Sequence, residues 1–246
     1  GKYRWVGDPS TDSLVGIMFG YELYYDLVAG AKEKQEVAKD VESIMGKIVD
    51  AGTRILDVDG RMTLWGNMCP LILEENLNAL EALSHLRGAY RITKKRRFLG
   101  EYHRLVEQCN YHKRAALANA QEKPKPSPWD WNLAMSPLYT LLQYETDQGL
   151  LRYYHRALEF QWKGVQVEGR HDPFFNWAYK AFRPRAPIAK ETWDWLKGFE
   201  VGEPEHPASP TPSAPKPLPQ TRKYEVVIEG TPKVIEAVVE GAPTAY

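Results

Sequence analysis

Carboxylates recur beside tryptophans, amides and arginines in four short segments. They are Gly7-Asp8-Pro9-Ser10-Thr11-Asp12-Ser13, Asp57-Val58-Asp59-Gly60-Arg61 running on to Trp65-Gly66-Asn67, Trp129-Asp130-Trp131-Asn132, and Gly169-Arg170-His171-Asp172 with Asn176 and Trp177 close behind. These side chains suit a carbohydrate: aromatic faces stack on sugar rings, amides and guanidinium groups bind hydroxyls or carboxylates, and acids move protons. For hydrolysis, an acid and base drawn from Asp8, Asp12, Asp57 and Asp172 would act at a separation that decides inversion or retention. For elimination, Tyr21 or His171 would take the proton while Arg61 and Asn67 neutralise a uronate carboxylate. Trp65, Trp129 and Trp131 are the stacking candidates, and Asn132 and Asn176 the hydroxyl binders.

Each residue also has a structural reading. Asp8 and Asp12 stand where a carboxylate caps a helix N-terminus and meets the positive end of its dipole. Asp59-Gly60 suits the apex of a hairpin with Ile55 and Leu64 on its arms. Tyr21 suits packing, a loop histidine such as His171 suits a surface or capping role, and a buried tryptophan is core.

What must position these residues is helical. Apolar spacing predicts helices over 11–28, 32–50, a third after Pro70 with Leu73, Leu77, Leu80, Leu83 and Leu86, then 95–112, 132–144, 148–162, 174–182 and 190–199. Short turns follow the odd-numbered helices and long loops the even-numbered ones, the pattern of repeated antiparallel hairpins. The four chemistry-bearing segments then precede helices 1, 3, 5 and 7 and share one rim. A tyrosine stands just before three of the short turns, at Tyr25, Tyr90 and Tyr144, as a faint internal repeat.

The whole chain of 246 residues is balanced, with 32 basic against 32 acidic side chains, which argues against a dedicated nucleic-acid binder. Its 43% hydrophobic and 12% aromatic content suffices for one sizeable core. No apolar run is long enough to span a membrane. The basic cluster Arg87, Arg91, Lys94, Lys95, Arg96, Arg97 and Arg104 reads as a solvated hairpin end, with an acidic ligand as the rival. No P-loop, dinucleotide fingerprint, serine elbow or zincin motif occurs, so neither cofactor nor metal is expected. Cys69 and Cys109 lack metal-ligand spacing and leave one disulfide open.

The expected organisation is a helical domain over 1–200, a proline-rich linker over 201–222 and a β-strand tail over 223–246. Seven of the 18 prolines fall in 203–222. The tail offers two β-branched runs on either side of Gly230-Thr231-Pro232, and two strands alone need a partner in water. Tail-mediated self-association, making the chain a non-catalytic scaffold, is therefore the second functional expectation.

Gly7-Asp8-Pro9-Ser10-Thr11-Asp12-Ser13-Leu14-Val15-Gly16, leading to Tyr21, Tyr24 and Tyr25, and then Asp57-Val58-Asp59-Gly60-Arg61 with Trp65-Gly66, resemble a group of secreted bacterial proteins. That group is similar to the (α/α) toroid superfamily of six-hairpin glycosidases and polysaccharide lyases. The resemblance covers residues 3–182 and implies an all-α fold, a partial toroid of antiparallel helical hairpins, a glycan or polysaccharide ligand and a secreted or periplasmic location. The opening at Gly1 fits a processed product. Two departures stand out: Ile17 occupies a position that is often histidine in the group, and a full toroid takes about twelve helices where this sequence shows eight.

Overall fold

The computed structural model describes residues 7–69, 76–120, 128–167, 173–186, 188–198, 220–228 and 231–239. Among them are nine helices: α1 (Thr11–Leu27), α2 (Ala31–Asp50), α3 (Asn76–Thr93), α4 (Arg96–Cys109), α5 (Tyr111–Ala115), α6 (Pro128–Tyr144), α7 (Gln148–Val167), α8 (Pro173–Phe182) and α9 (Ala189–Gly198). Two antiparallel hairpins join them, β1 (Arg54–Leu56) with β2 (Met62–Asn67), and β3 (Gln220–Ile228) with β4 (Thr231–Val239). The all-α expectation stands in this coarse form. Paired strand begins at Gln220, inside the stretch read as linker.

α1 and α2 form the first hairpin. Ser10 accepts the Ser13 N–H at 3.3 Å and opens α1. At the turn, Glu33 accepts the Gly30 N–H at 2.7 Å and the Tyr24 hydroxyl at 2.7 Å, so one carboxylate fastens both helices. The stretch predicted as a single helix over 95–112 is two. Asn110 adopts a left-handed conformation (φ 54°), ends α4 and starts α5, a role its short polar side chain tolerates.

α3 is the central element and packs against α1, α2, α4, α5 and α6. Leu77, Leu80, Leu83 and Leu86 are all buried, as their spacing predicts, while Leu73 lies outside the described residues. The direction of the helices is fixed by polar pairs. Thr140 donates to Glu22 and Tyr144 donates to Asp26, both across 118 residues, so α1 and α6 run parallel in one register. Glu22 also lies against Gly88 and Asp26 pairs with Arg91 at 3.0 Å, so α3 runs parallel to α1 as well. The N-termini of these three helices therefore point the same way, the arrangement expected of helices 1, 3 and 5.

The basic cluster is an exposed hairpin end, as its sequence predicts, with Lys94, Lys95, Arg96 and Arg97 all exposed, and five of its seven charges meet acceptors. Arg87 donates to the Tyr144 carbonyl at 2.8 Å, Arg91 pairs with Asp26, Lys95 with Glu42 at 3.2 Å, Arg97 with Asp50 at 2.5 Å, and Arg104 with Glu101 at 2.6 Å. Most of these acids come from other helices, so the local sequence shows an excess of charge that the fold cancels. Among the described helices none is long and apolar enough to cross a membrane.

Candidate functional site

The site is built where the segment before α1 meets the first β-hairpin. The hairpin turn is the predicted one: the Asp57 N–H donates to the Arg61 carbonyl at 2.8 Å, Gly60 takes φ 78°, and Asp59 accepts the Arg61 N–H at 2.9 Å. Arg61 folds its guanidinium back onto Asp59 at 2.6 Å, which holds the Asp59 carboxyl below the usual range. Gly66 is required, because a Cβ there would lie 2.0 Å from Thr63 Oγ1 and 2.8 Å from Ile55 Cβ.

Asp8 and Asp57 do come together, but as fasteners. The Asp8 N–H donates to Asp57 Oδ2 at 3.0 Å, and Asp8 Oδ1 accepts the Leu64 N–H at 2.6 Å. Asp57 Oδ1 accepts the Val58 N–H at 2.7 Å. These backbone donors engage both carboxylates and fix the approach to α1 against β2. Asp57→Ala should therefore loosen the hairpin and cost about 1–2 kcal/mol, read as a lower urea midpoint. An unchanged midpoint would contradict the fastening role.

Asp12 differs. It stands in the first turn of α1, where partial desolvation and then the charge of Asp130 in the first turn of α6 raise its carboxyl above the ordinary value. A carboxyl so raised beside a second one is suited to carry a proton. The sequence gives no local sign of this pair, since its members are 118 residues apart (130 minus 12) and meet through the parallel register of α1 and α6.

Two exposed tryptophans adjoin these residues along the chain. Trp65, 49% exposed, follows the residue whose N–H binds Asp8; Trp129, 73% exposed, precedes Asp130. Trp131 does not join them. It is 4% exposed on the inner side of α6, seated over Gly164 of α7, where a Cβ would come within 2.2 Å of its ring. Residues 129 and 131 lie two apart on a helix and so face different ways. Asn176 is likewise buried, at 2% exposed, and so is no surface hydroxyl binder.

The other predicted residues separate. Asn67 accepts the Cys69 N–H at 3.1 Å and offers its carbonyl to Asn78 at 2.8 Å, which fastens the hairpin to α3. Asn132 is half-buried, its carbonyl accepting from Ser136. Tyr21 points at α2 and donates to Asp40 at 3.2 Å; it sits about 13 Å along α1 from Asp12 at helical rise. His171 and Asp172 lie outside the described residues. Among the described residues, no three His, Cys, Asp or Glu side chains gather as a metal site.

A second polar group lies in the interior. Glu22 is 2% exposed between α1, α3 and α6, its Oε2 bonded by Thr140 and its Oε1 against Gly88 without a hydrogen-bond partner. Desolvation pushes its carboxyl up to about 8, and the Asp26 charge adds to this against the lowering effect of Thr140. One turn before Gly88, His85 is 1% exposed with both ring nitrogens unbonded, and burial drives its pKa down to about 3.

These features define a class: a mostly helical protein of packed hairpins that carries a small β-hairpin beside the entry to its first helix. Comparison with known proteins finds no matching family model, no matching curated protein and no matching solved structure.

Proposed function

We propose that this protein recognises glycans at the entry to α1, on a helical-hairpin body arranged as part of an (α/α) toroid. The observation that carries the reading is the pair of exposed indoles, Trp65 next to the Leu64 N–H that binds Asp8 and Trp129 next to Asp130, whose charge acts on Asp12. Flat aromatic faces bind the C–H faces of sugar rings, and carboxylates bind their hydroxyls. Trp177, Trp193 and Trp195 are exposed as well; what sets Trp65 and Trp129 apart is that each adjoins a residue of the Asp8–Leu64 bond or of the Asp12–Asp130 pair.

Within this reading Asp12, whose carboxyl partial burial and then the Asp130 charge raise above its ordinary value, is the proton carrier. Asp8 and Asp57, already engaged by backbone N–H groups, hold the site together. Incubation with neutral and uronate-containing polysaccharides separates the possible reactions: new reducing ends report hydrolysis, and ultraviolet absorbance of unsaturated products reports elimination as well. Where turnover is seen, Asp12→Asn should lower it by at least about 100-fold, the usual worth of a general acid or base. Turnover unchanged in Asp12→Asn would remove Asp12 from the chemistry.

A further inference from the structure

We infer that Cys69 and Cys109 are a redox pair, forming a disulfide that fastens the end of the β1–β2 hairpin to the end of α4. This goes beyond glycan recognition and stands independently of it. Cys69 lies two residues past the end of β2, and Cys109 is the last residue of α4. The segments around them are already joined, because the buried Tyr111 hydroxyl donates to the Met68 carbonyl at 2.9 Å. Tyr111 is two residues from Cys109 and Met68 adjoins Cys69. Each sulfur also has its own guanidinium: Arg54 Nη2 donates to Cys69 Sγ at 3.2 Å, and Arg104 Nη1 to Cys109 Sγ at 3.7 Å.

Cys69 lies close enough to Cys109 to act on it electrostatically. Burial raises the Cys109 thiol, Arg104 opposes this, and Glu101 and Cys69 add to the rise; both cysteines in turn act on Tyr111. Arg104 beside Cys109 Sγ favours the thiolate, the form that attacks a disulfide. Both thiols are free in this structure, Cys69 buried and Cys109 half-buried, so Cys109 is the one a small oxidant reaches first.

The oxidant is a small-molecule disulfide such as oxidised glutathione. The Cys109 thiolate attacks one of its sulfurs, forming a mixed disulfide and releasing one glutathione thiolate. The Cys69 thiolate then attacks the Cys109 sulfur, forming the internal disulfide and releasing the second glutathione thiolate. Two protein thiols are oxidised, one small disulfide is reduced to two thiols, and the two protons pass through solvent to the departing thiolates. Because burial raises Cys109, the reaction should quicken as pH rises through the thiol range.

The full chain, reduced and then treated with oxidised glutathione at about pH 8.5, provides the test. The expected product is lighter by two hydrogens, yields one proteolytic peptide pair joining Cys69 to Cys109, and offers no thiol to alkylation after denaturation. Its melting temperature should rise by roughly 5–10 °C, since the cross-link closes a loop of 40 residues (109 minus 69). Cys69→Ser should stop at one glutathione adduct on Cys109, with no gain in melting temperature. Two glutathione adducts on the unmodified chain, or two intact thiols after treatment, would overturn the inference.

Discussion

Glu22→Gln should make the protein more stable above about pH 8, by on the order of 3–4 kcal/mol. The folded chain holds this buried carboxyl at about 8, against an ordinary 4.5 in the unfolded chain. Between those values the folded state keeps a proton that the unfolded state has released, so stability falls as pH rises from 4.5 to about 8 and is level beyond. Glutamine keeps a group for Thr140 to bond and never ionises, so the slope disappears in the variant. His85 acts in the opposite sense: held neutral down to about 3 against an ordinary 6.5, it contributes stability above 6.5 that is lost as pH falls towards 3. From 4.5 to 6.5 the two slopes oppose each other and stability should be nearly flat. Urea unfolding from about pH 4 to pH 9 measures both. Parallel curves for the variant and the parent across that range would show that Glu22 does not titrate with folding.

Gly88→Ala should destabilise the same place by about 2–4 kcal/mol. A Cβ at residue 88 would lie 1.7 Å from Glu22 Oε1 and 2.7 Å from its Cδ, so the buried Glu22 side chain must shift and strain its bond from Thr140. Alanine's better helix propensity returns only about 1 kcal/mol. The cause is specific, so it can be isolated by a double-mutant cycle. Glu22→Ala removes the atoms that the new methyl meets, and Gly88→Ala added to it should cost at least 1 kcal/mol less than in the parent. Additive losses would place the strain elsewhere.

Local patterns were legible in the sequence and cross-chain meetings were not. Helical spacing located α1, α2, α6 and α7 to within a few residues, because one apolar face repeats every turn and a cap or glycine marks the ends. The Asp59-Gly60 turn could be read for a similar reason: its chemistry is complete within five residues. The break at Asn110 was not, since a single asparagine inside a good apolar stripe leaves the spacing intact. Trp131 and Trp129 share a motif yet face opposite environments, and only the neighbour in α7 decides which one is covered. Asp12 with Asp130, Glu22 with Gly88 and Thr140, and Glu42 and Asp50 with Lys95 and Arg97 of the basic cluster all meet across helices. Such pairs have no spacing signature until the helix register is known.

Glycan recognition at the entry to α1 is tested most directly by titrating a panel of neutral and uronate-containing polysaccharides into the full chain and into the Trp65→Ala/Trp129→Ala double variant. Tryptophan fluorescence and calorimetry report the binding. The account predicts a saturable response to at least one polysaccharide, weakened by roughly 10–100-fold in the folded double variant, the cost of removing aromatic anchors worth about 2 kcal/mol together. No saturable response to any member of the panel, or equal affinity in the double variant, would contradict it.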